Sequence, residues 1–120
     1  MRPVELRIAL AWTVAVAVFA SAQGMPGGSW SRGTAMPTER AEVVAAALDG
    51  KIYIEGAYSG DSVANEAYDP LTDTWLTFAP LPTPRHGLGV VAVADAIYVI
   101  GGGPQPGDSR SNVVEIFRPM

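Results

Sequence analysis

The chain has 120 residues with 8 basic and 12 acidic side chains, a net charge of −4 and no cysteine. This length leaves room for one small domain, and the lack of cysteine excludes a disulfide framework, a thiolate metal site and a cysteine nucleophile. The acidic groups are scattered and no stripe of lysine and arginine is present, so nucleic acid is not an expected partner.

The first 22 residues have the pattern of a secretory signal peptide. Arg2 and Arg7 precede an apolar run over residues 8–20, and Ala20-Ser21-Ala22 offers the small residues that signal peptidase recognises. A helix needs about 20 apolar residues to cross a bilayer, and this run is shorter. We therefore expect a signal peptide over 1–22, a secreted or periplasmic protein, and no membrane span after cleavage. An uncleaved anchor is the alternative.

The rest of the chain repeats itself with a shift of 45 residues. The matched positions run in order along the sequence and include residue types that seldom match by chance: Trp30 and Trp75, Pro37 and Pro82, Arg40 and Arg85, Tyr53 and Tyr98, Gly56 and Gly101. A period of 40 to 50 residues built from short strands is typical of the blades of a β-propeller.

Each repeat is predicted to contain short strands joined by turns. In the first repeat these are Val43 to Leu48, a hairpin turn at Asp49-Gly50, Lys51 to Ile54, Asn65 to Tyr68, a proline turn over 69–73, and Trp75 to Phe78. In the second they are His86 to Val93, a turn at Ala94-Asp95, Ala96 to Ile100 and Asn112 to Phe117. We expect Asp95 to adopt the left-handed conformation that glycine supplies in the first turn.

These residues resemble the kelch repeat. The family's apolar second strand ending in glycines corresponds to Ile97 to Gly103, and its Glu-x-Tyr-Asp-Pro third strand to Glu66 to Pro70, with Trp75 opening the fourth strand. The resemblance covers residues 30 to 118 and implies an all-β fold of about two four-stranded antiparallel blades, an incomplete propeller. Ala57 stands where the family has a second glycine, so we expect local strain or a relaxed loop there.

The expected organisation is a signal peptide (1–22), an N-terminal outer strand region (23–36), a first kelch repeat (37–81) and a second repeat (82–120) that lacks its fourth strand. Propellers close with about four to eight blades. Two interpretations remain open. In the first, three copies assemble into a six-bladed ring in which each outer strand completes a neighbour's blade. In the second, the chain is a fragment of a longer kelch protein.

The resemblance places candidate binding residues in the loops around a central channel: Arg40, Arg85, His86, Tyr58, Arg110, Ser111 and Asn112. Equivalent arginines in neighbouring blades suit the binding of an acidic group, whereas the alternative is that each arginine bonds loop carbonyls. His86 has no carboxylate or second histidine placed beside it by the sequence. The recurrence of Glu66 and Glu115 indicates a structural role. We expect no metal and no cofactor.

The first functional hypothesis is a non-catalytic module that binds a protein or glycan through its loops, since the fold alone does not define an activity. The second is a carbohydrate-active enzyme, because exported propellers resembling this one include sialic acid epimerases. Copper-dependent galactose oxidases need cysteine and several histidines, which this chain lacks. The third is a non-functional fragment of a longer protein.

Overall fold

The computed structural model describes residues 27–57 and 63–120. The chain divides into two units, 1–30 and 31–120. In the first unit, residues 27–30 have no regular structure. In the second, the described residues form seven strands: β1 (Val44–Leu48), β2 (Lys51–Glu55), β3 (Glu66–Asp69), β4 (Thr74–Thr77), β5 (Gly89–Val93), β6 (Ala96–Ile100) and β7 (Val114–Phe117). The predicted signal peptide and Tyr58 lie outside the described residues.

The first repeat is a four-stranded antiparallel sheet in the order β1-β2-β3-β4. Its first hairpin turns at Asp49 and Gly50, which have φ angles of 49° and 72°. Two consecutive positive φ angles define the type I′ turn, whose twist matches that of the flanking strands. The predicted hairpin is confirmed, with β1 beginning at Val44 rather than Val43.

The second repeat is a three-stranded antiparallel sheet in the order β5-β6-β7, so the described residues supply no fourth strand to it. The turn between β5 and β6 differs from expectation, because Ala94 has the positive φ angle (52°) and Asp95 does not. A positive φ at the first turn residue alone is the pattern of a type II′ turn, in which glycine normally occupies that position. The prediction for Asp95 was wrong, and the strained residue is Ala94.

The hydrophobic core lies between the two sheets. Tyr53 on β2 faces Phe78 and Phe117, with ring centroids 5.5 and 6.0 Å apart. Around these rings pack the buried side chains of both repeats: Leu48, Ala67, Leu81, Leu88, Ile97 and Val99. Tyr53 therefore packs between the repeats, and its ring contacts join the two sheets.

No strand is assigned between residues 27 and 43. Thr34 instead lies against the first sheet, where its N–H donates to Asp73 Oδ1 (2.6 Å) and its carbonyl accepts from the Trp75 indole (2.8 Å). Within residues 27–36, the described part of the predicted outer strand region, no strand is paired with the rest of the described chain, and pairing with another copy stays a prediction.

The loops after β2 and β6 follow different paths. Gly101 and Gly102 both have positive φ angles, 68° and 87°, whereas in the first repeat only Gly56 does. Ala57 has an ordinary φ and is buried. Of local strain and a relaxed loop, the two outcomes expected at Ala57, strain is not observed. The loop takes a path in which Ala57 avoids the left-handed conformation, which a residue with a Cβ disfavours.

Candidate functional site

The antiparallel register brings the loops expected to bind a ligand to one side of the molecule. Val44, where β1 begins, pairs with Glu55, where β2 ends, and Gly89 pairs with Ile100 in the second sheet. The segments before the first strand and after the second strand of each repeat therefore emerge together. We call this side the loop face, and its described residues are 37–43, 56–57, 63–65, 82–88 and 101–113.

Arg40 lies beneath the loop face with its side chain fully buried. Its Nη2 donates to Glu66 Oε2 at 2.8 Å, and its Nη1 donates to the carbonyl oxygens of Ala64 (2.8 Å) and Gly56 (3.2 Å). The other oxygen of Glu66 accepts from the Thr38 hydroxyl at 2.6 Å. One guanidinium thus joins the loop before β1 to both ends of the loop that connects β2 to β3.

Arg85 repeats this arrangement in the second sheet. Its Nη2 donates to Glu115 Oε2 at 2.7 Å and its Nη1 to the carbonyl oxygens of Gly101 (2.5 Å) and Val113 (3.3 Å). Thr83 donates to Glu115 Oε1 at 2.6 Å. Burial opposes the charged form of Glu115, but the hydrogen bonds from Thr83 and Arg85 outweigh it and hold the pKa of Glu115 below its usual value.

Both arginines therefore match the alternative named in the sequence analysis, in which each arginine bonds the carbonyl groups of loops in its own repeat. Arg40 and Arg85 expose none of their side-chain surface and face a glutamate of their own repeat rather than a shared acidic ligand. Breaking such a buried pair costs about 3–5 kcal/mol, since it leaves an uncompensated charge. The two networks fix the loop face in position, and Glu66 and Glu115 have the structural role that their recurrence indicated.

His86 links the two repeats on the loop face. Its Nδ1 lies 3.3 Å from Glu42 Oε2, and its Nε2 lies 2.8 Å from the carbonyl oxygen of Gln105. The sequence did not place a carboxylate beside His86, and the structure supplies one from the first repeat. Glu42 stands where the second repeat has Gly87, and both have a positive φ angle, 53° and 59°. In the sequence, the signal for this contact was a glutamate in the first repeat at a position where the second repeat has glycine.

Arg110, Ser111 and Asn112 lie together in the long loop after β6 and line an open cleft of about 450 Å³ with Thr83 and Pro104. Arg110 is exposed and forms a 3.7 Å ion pair with Asp108. The structure thus brings Arg110 and Asn112 together at the surface and places the arginines of the two networks beneath it. A binding role for any of them stays a prediction.

The described residues include no helix that is long and apolar enough to cross a membrane. Within those same ranges, no group of three or more histidine, cysteine, aspartate or glutamate side chains is arranged to hold a metal ion. The loop face therefore presents exposed polar side chains on loops that the two buried Thr–Arg–Glu networks hold in position.

Two consecutive antiparallel sheets share one hydrophobic core, and in each sheet a buried Thr–Arg–Glu network ties the loops together. Sheets arranged in this way are blades of a β-propeller. No family model matches the chain. Among curated proteins, it is 31% identical over 90 residues to Kelch-like protein terF of Aspergillus terreus and 34% identical over 95 residues to Kelch-like protein 35 of Mus musculus. The chain belongs to the kelch-repeat family.

A third relative is the Kelch repeat and BTB domain-containing protein 1 of Cowpox virus, 30% identical over 94 residues. These alignments cover 70%, 76% and 73% of this chain but only 20%, 16% and 16% of the three relatives. The chain therefore spans about a fifth or less of the length of these three relatives.

Proposed function

We propose that the chain is a non-catalytic binding module whose loop face recognises a partner protein. The observation that carries the proposal is the pair of buried Thr–Arg–Glu networks, which anchor the loops of both repeats while other polar groups of the same loops stay at the surface. Binding residues are often carried by loops on a rigid scaffold, because the scaffold lowers the entropy lost when the partner docks.

The geometry of His86 favours binding over acid–base catalysis. Both ring nitrogens are engaged with protein atoms, a carboxylate oxygen of Glu42 and the carbonyl of Gln105. A general base needs a ring nitrogen within reach of the substrate proton. His86 instead stabilises the contact between the loop before β1 and the loop after β6.

Site-specific photo-crosslinking tests this proposal. A photoreactive residue is placed at Asn112 on the loop face or, as the control, at Thr72 in the β3–β4 turn at the opposite end of the first sheet. Both positions are exposed. We expect a discrete crosslinked protein from position 112 only, lost when excess unlabelled chain is added. Equal labelling from both positions, or no discrete product from position 112, would contradict the proposal.

We also propose that the protein is exported and cleaved after Ala22, as its N-terminal pattern predicts. The supporting features are the two arginines, the apolar run and the small residues that precede the proposed cleavage site. Mass spectrometry of the exported protein is expected to show a mature N-terminus at Gln23. Recovery of the uncleaved chain from the membrane would refute it.

We further propose that the free edge of β7 pairs with a strand from another copy. In the described residues β7 pairs with β6 alone, and Val114 and Ile116 are about half exposed. An exposed apolar edge strand readily pairs with further backbone. Light scattering of the purified mature chain distinguishes the sources of that strand. A discrete trimer supports assembly from copies, whereas a monomer or polydisperse aggregate indicates that a longer kelch chain must supply it.

A further inference from the structure

The second sheet has an apolar face on the side away from the shared core. Successive residues of a strand point to opposite faces of a sheet, so the residues between those of the core define this face. It carries five aliphatic side chains that are 45–54% exposed: Val91, Val93, Ile100, Val114 and Ile116. A sheet with water on one side normally alternates apolar and polar residues, whereas strands covered on both faces are apolar throughout. The second sheet therefore has the composition of a sheet that is covered on both sides.

The first sheet also has an apolar face on its side away from the core. The strand register places five side chains on it: Ala45, Ala47, Ile52, Ile54 and Tyr68. The first three are exposed and the other two are half-buried. We call these surfaces the first open face, on the first sheet, and the second open face, on the second sheet. Contiguous apolar surface of this kind marks a site of association more often than a solvated surface.

The contact inside the chain shows what each open face fits. Counterparts in the two repeats follow from the 45-residue shift and, in the third strand, from the match of Glu66 to Glu115. Core residues of the first sheet have these counterparts on the second open face: Leu48 and Val93, Tyr53 and Tyr98, Ala67 and Ile116. Core residues of the second sheet have these counterparts on the first open face: Ile97 and Ile52, Val99 and Ile54, Phe117 and Tyr68. Each open face is thus equivalent to one half of the internal contact.

The segment before the first sheet carries independent evidence for the same contact. Inside the chain, Phe78 follows β4 and packs against Phe117, with ring centroids 5.5 Å apart. The counterparts of these two residues are Gly33 and Tyr68, and they also lie together, since a Cβ on Gly33 would be 2.7 Å from Tyr68 Oη. Gly33 therefore lies against the first open face where the residue after the fourth strand of a preceding sheet belongs. The sheet without a fourth strand among the described residues is the second one.

We propose that copies of this chain associate head to tail, with the second open face of one copy packed on the first open face of the next. Burial of the exposed aliphatic side chains drives the association. Ile100 occupies the position where the internal contact buries Glu55, so the contact between copies buries no carboxyl group there. Because the two faces differ, the interface is heterologous, and the copies form a closed ring where the rotation from sheet to sheet permits it.

This association goes beyond both the proposed recognition of a partner by the loop face and the proposed pairing of the β7 edge. Packing of the faces uses side chains, whereas pairing of the edge uses the backbone N–H and C=O groups of β7. Either contact can therefore form without the other, and substitutions on the faces distinguish them.

Crosslinking between cysteines tests the contact, and the natural chain has no cysteine that would interfere. Inside the chain β1 packs against β5, so the proposal places β5 of one copy against β1 of the next. Val91→Cys and Ala47→Cys put exposed thiols on the second and the first open face. With a short bismaleimide, we expect covalent multimers from the double variant and none from either single variant. The matched control combines Val91→Cys with Thr72→Cys in the exposed β3–β4 turn and should stay monomeric on a denaturing gel.

Sedimentation velocity measures the association itself. Val91→Lys places a charge in the contact and is expected to weaken association at least about tenfold, because a buried charge without a partner is costly. Leu71→Lys makes a similar change at an exposed leucine of the β3–β4 turn, outside both open faces, and should leave association unchanged. Circular dichroism of each variant verifies that it is folded. If Val91→Lys does not fold, the cysteine variants still decide the question, since their substitutions are small and at exposed positions.

Three results would overturn the proposal. Covalent multimers from Val91→Cys alone would show that like faces meet. An unsubstituted chain that sediments as a monomer would assign the open faces to the sheets of a different chain. An oligomer that persists in Val91→Lys would assign association to the edge of β7 and leave the proposed edge pairing intact.

Discussion

Replacing Arg40 with methionine measures what the buried networks contribute to the fold. The substitution keeps a long side chain but removes the donors to Glu66, Ala64 and Gly56. Glu66 is only 3% exposed and would retain a buried, uncompensated charge. We expect a loss of about 3–5 kcal/mol, a large share of the 5–15 kcal/mol that stabilises a typical domain.

The second repeat provides an internal comparison. Glu115 is 17% exposed, so water can solvate its carboxylate in part once the arginine is gone. Arg85→Met is therefore expected to cost about 1 kcal/mol less than Arg40→Met. Adding Glu66→Gln to Arg40→Met should recover part of the loss, because it removes the orphaned charge while the amide oxygen still accepts from Thr38.

Urea denaturation followed by far-ultraviolet circular dichroism measures all three variants, with the transition midpoint reporting the change in the free energy of unfolding. A loss below about 1 kcal/mol for Arg40→Met would show that the guanidinium does not hold the loops. A greater loss for Arg85→Met than for Arg40→Met would refute the assignment of the difference to burial.

Three further predictions concern other residues. The pKa of Glu55 is raised from 4.5 to about 8, so between these pH values the folded state holds a proton that the unfolded state has lost. The free energy of unfolding should therefore fall as the pH rises from 4.5 to about 8. Urea titrations should show this slope weakened in Glu55→Gln, and identical slopes would contradict it. Gly102→Ala should lower the melting temperature, because its Cβ would lie 2.6 Å from the carbonyl oxygen of His86 at a φ of 87°; an unchanged melting temperature would contradict it. Ala94→Gly should stabilise by up to about 1 kcal/mol, since Ala94 has a φ of 52°; a lower urea midpoint would refute that explanation.

The strands and most of the turns were predictable because they depend on local chemistry. Asp49-Gly50 determines a tight hairpin by itself, and the alignment of Trp75, Tyr53 and Gly56 with their counterparts identifies the repeat without any distant contact. The turn at Ala94 was harder to predict, because two types of two-residue turn fit the same strands and differ only in which residue takes the positive φ angle.

The candidate site was predicted in part. The sequence selected Arg40, Arg85 and His86 correctly as loop residues, and the recurrence of the glutamates indicated their structural role. The sequence did not indicate whether these side chains point into the protein or toward solvent. Arg40 bonds a glutamate 26 residues away, and Arg85 one 30 residues away, which only the pairing of the strands brings into contact.

The sequence by itself determined the repeat, its strands and the loop face, because each is specified by residue types at fixed local spacing. Only the tertiary structure decided which polar groups are buried. It turned both arginines inward, brought Glu42 of one repeat to His86 of the next, and buried Glu55 with no hydrogen-bond partner for its carboxyl oxygens among the described residues. The free energy of a charged group depends on the solvent and partners that surround it, and folding sets both.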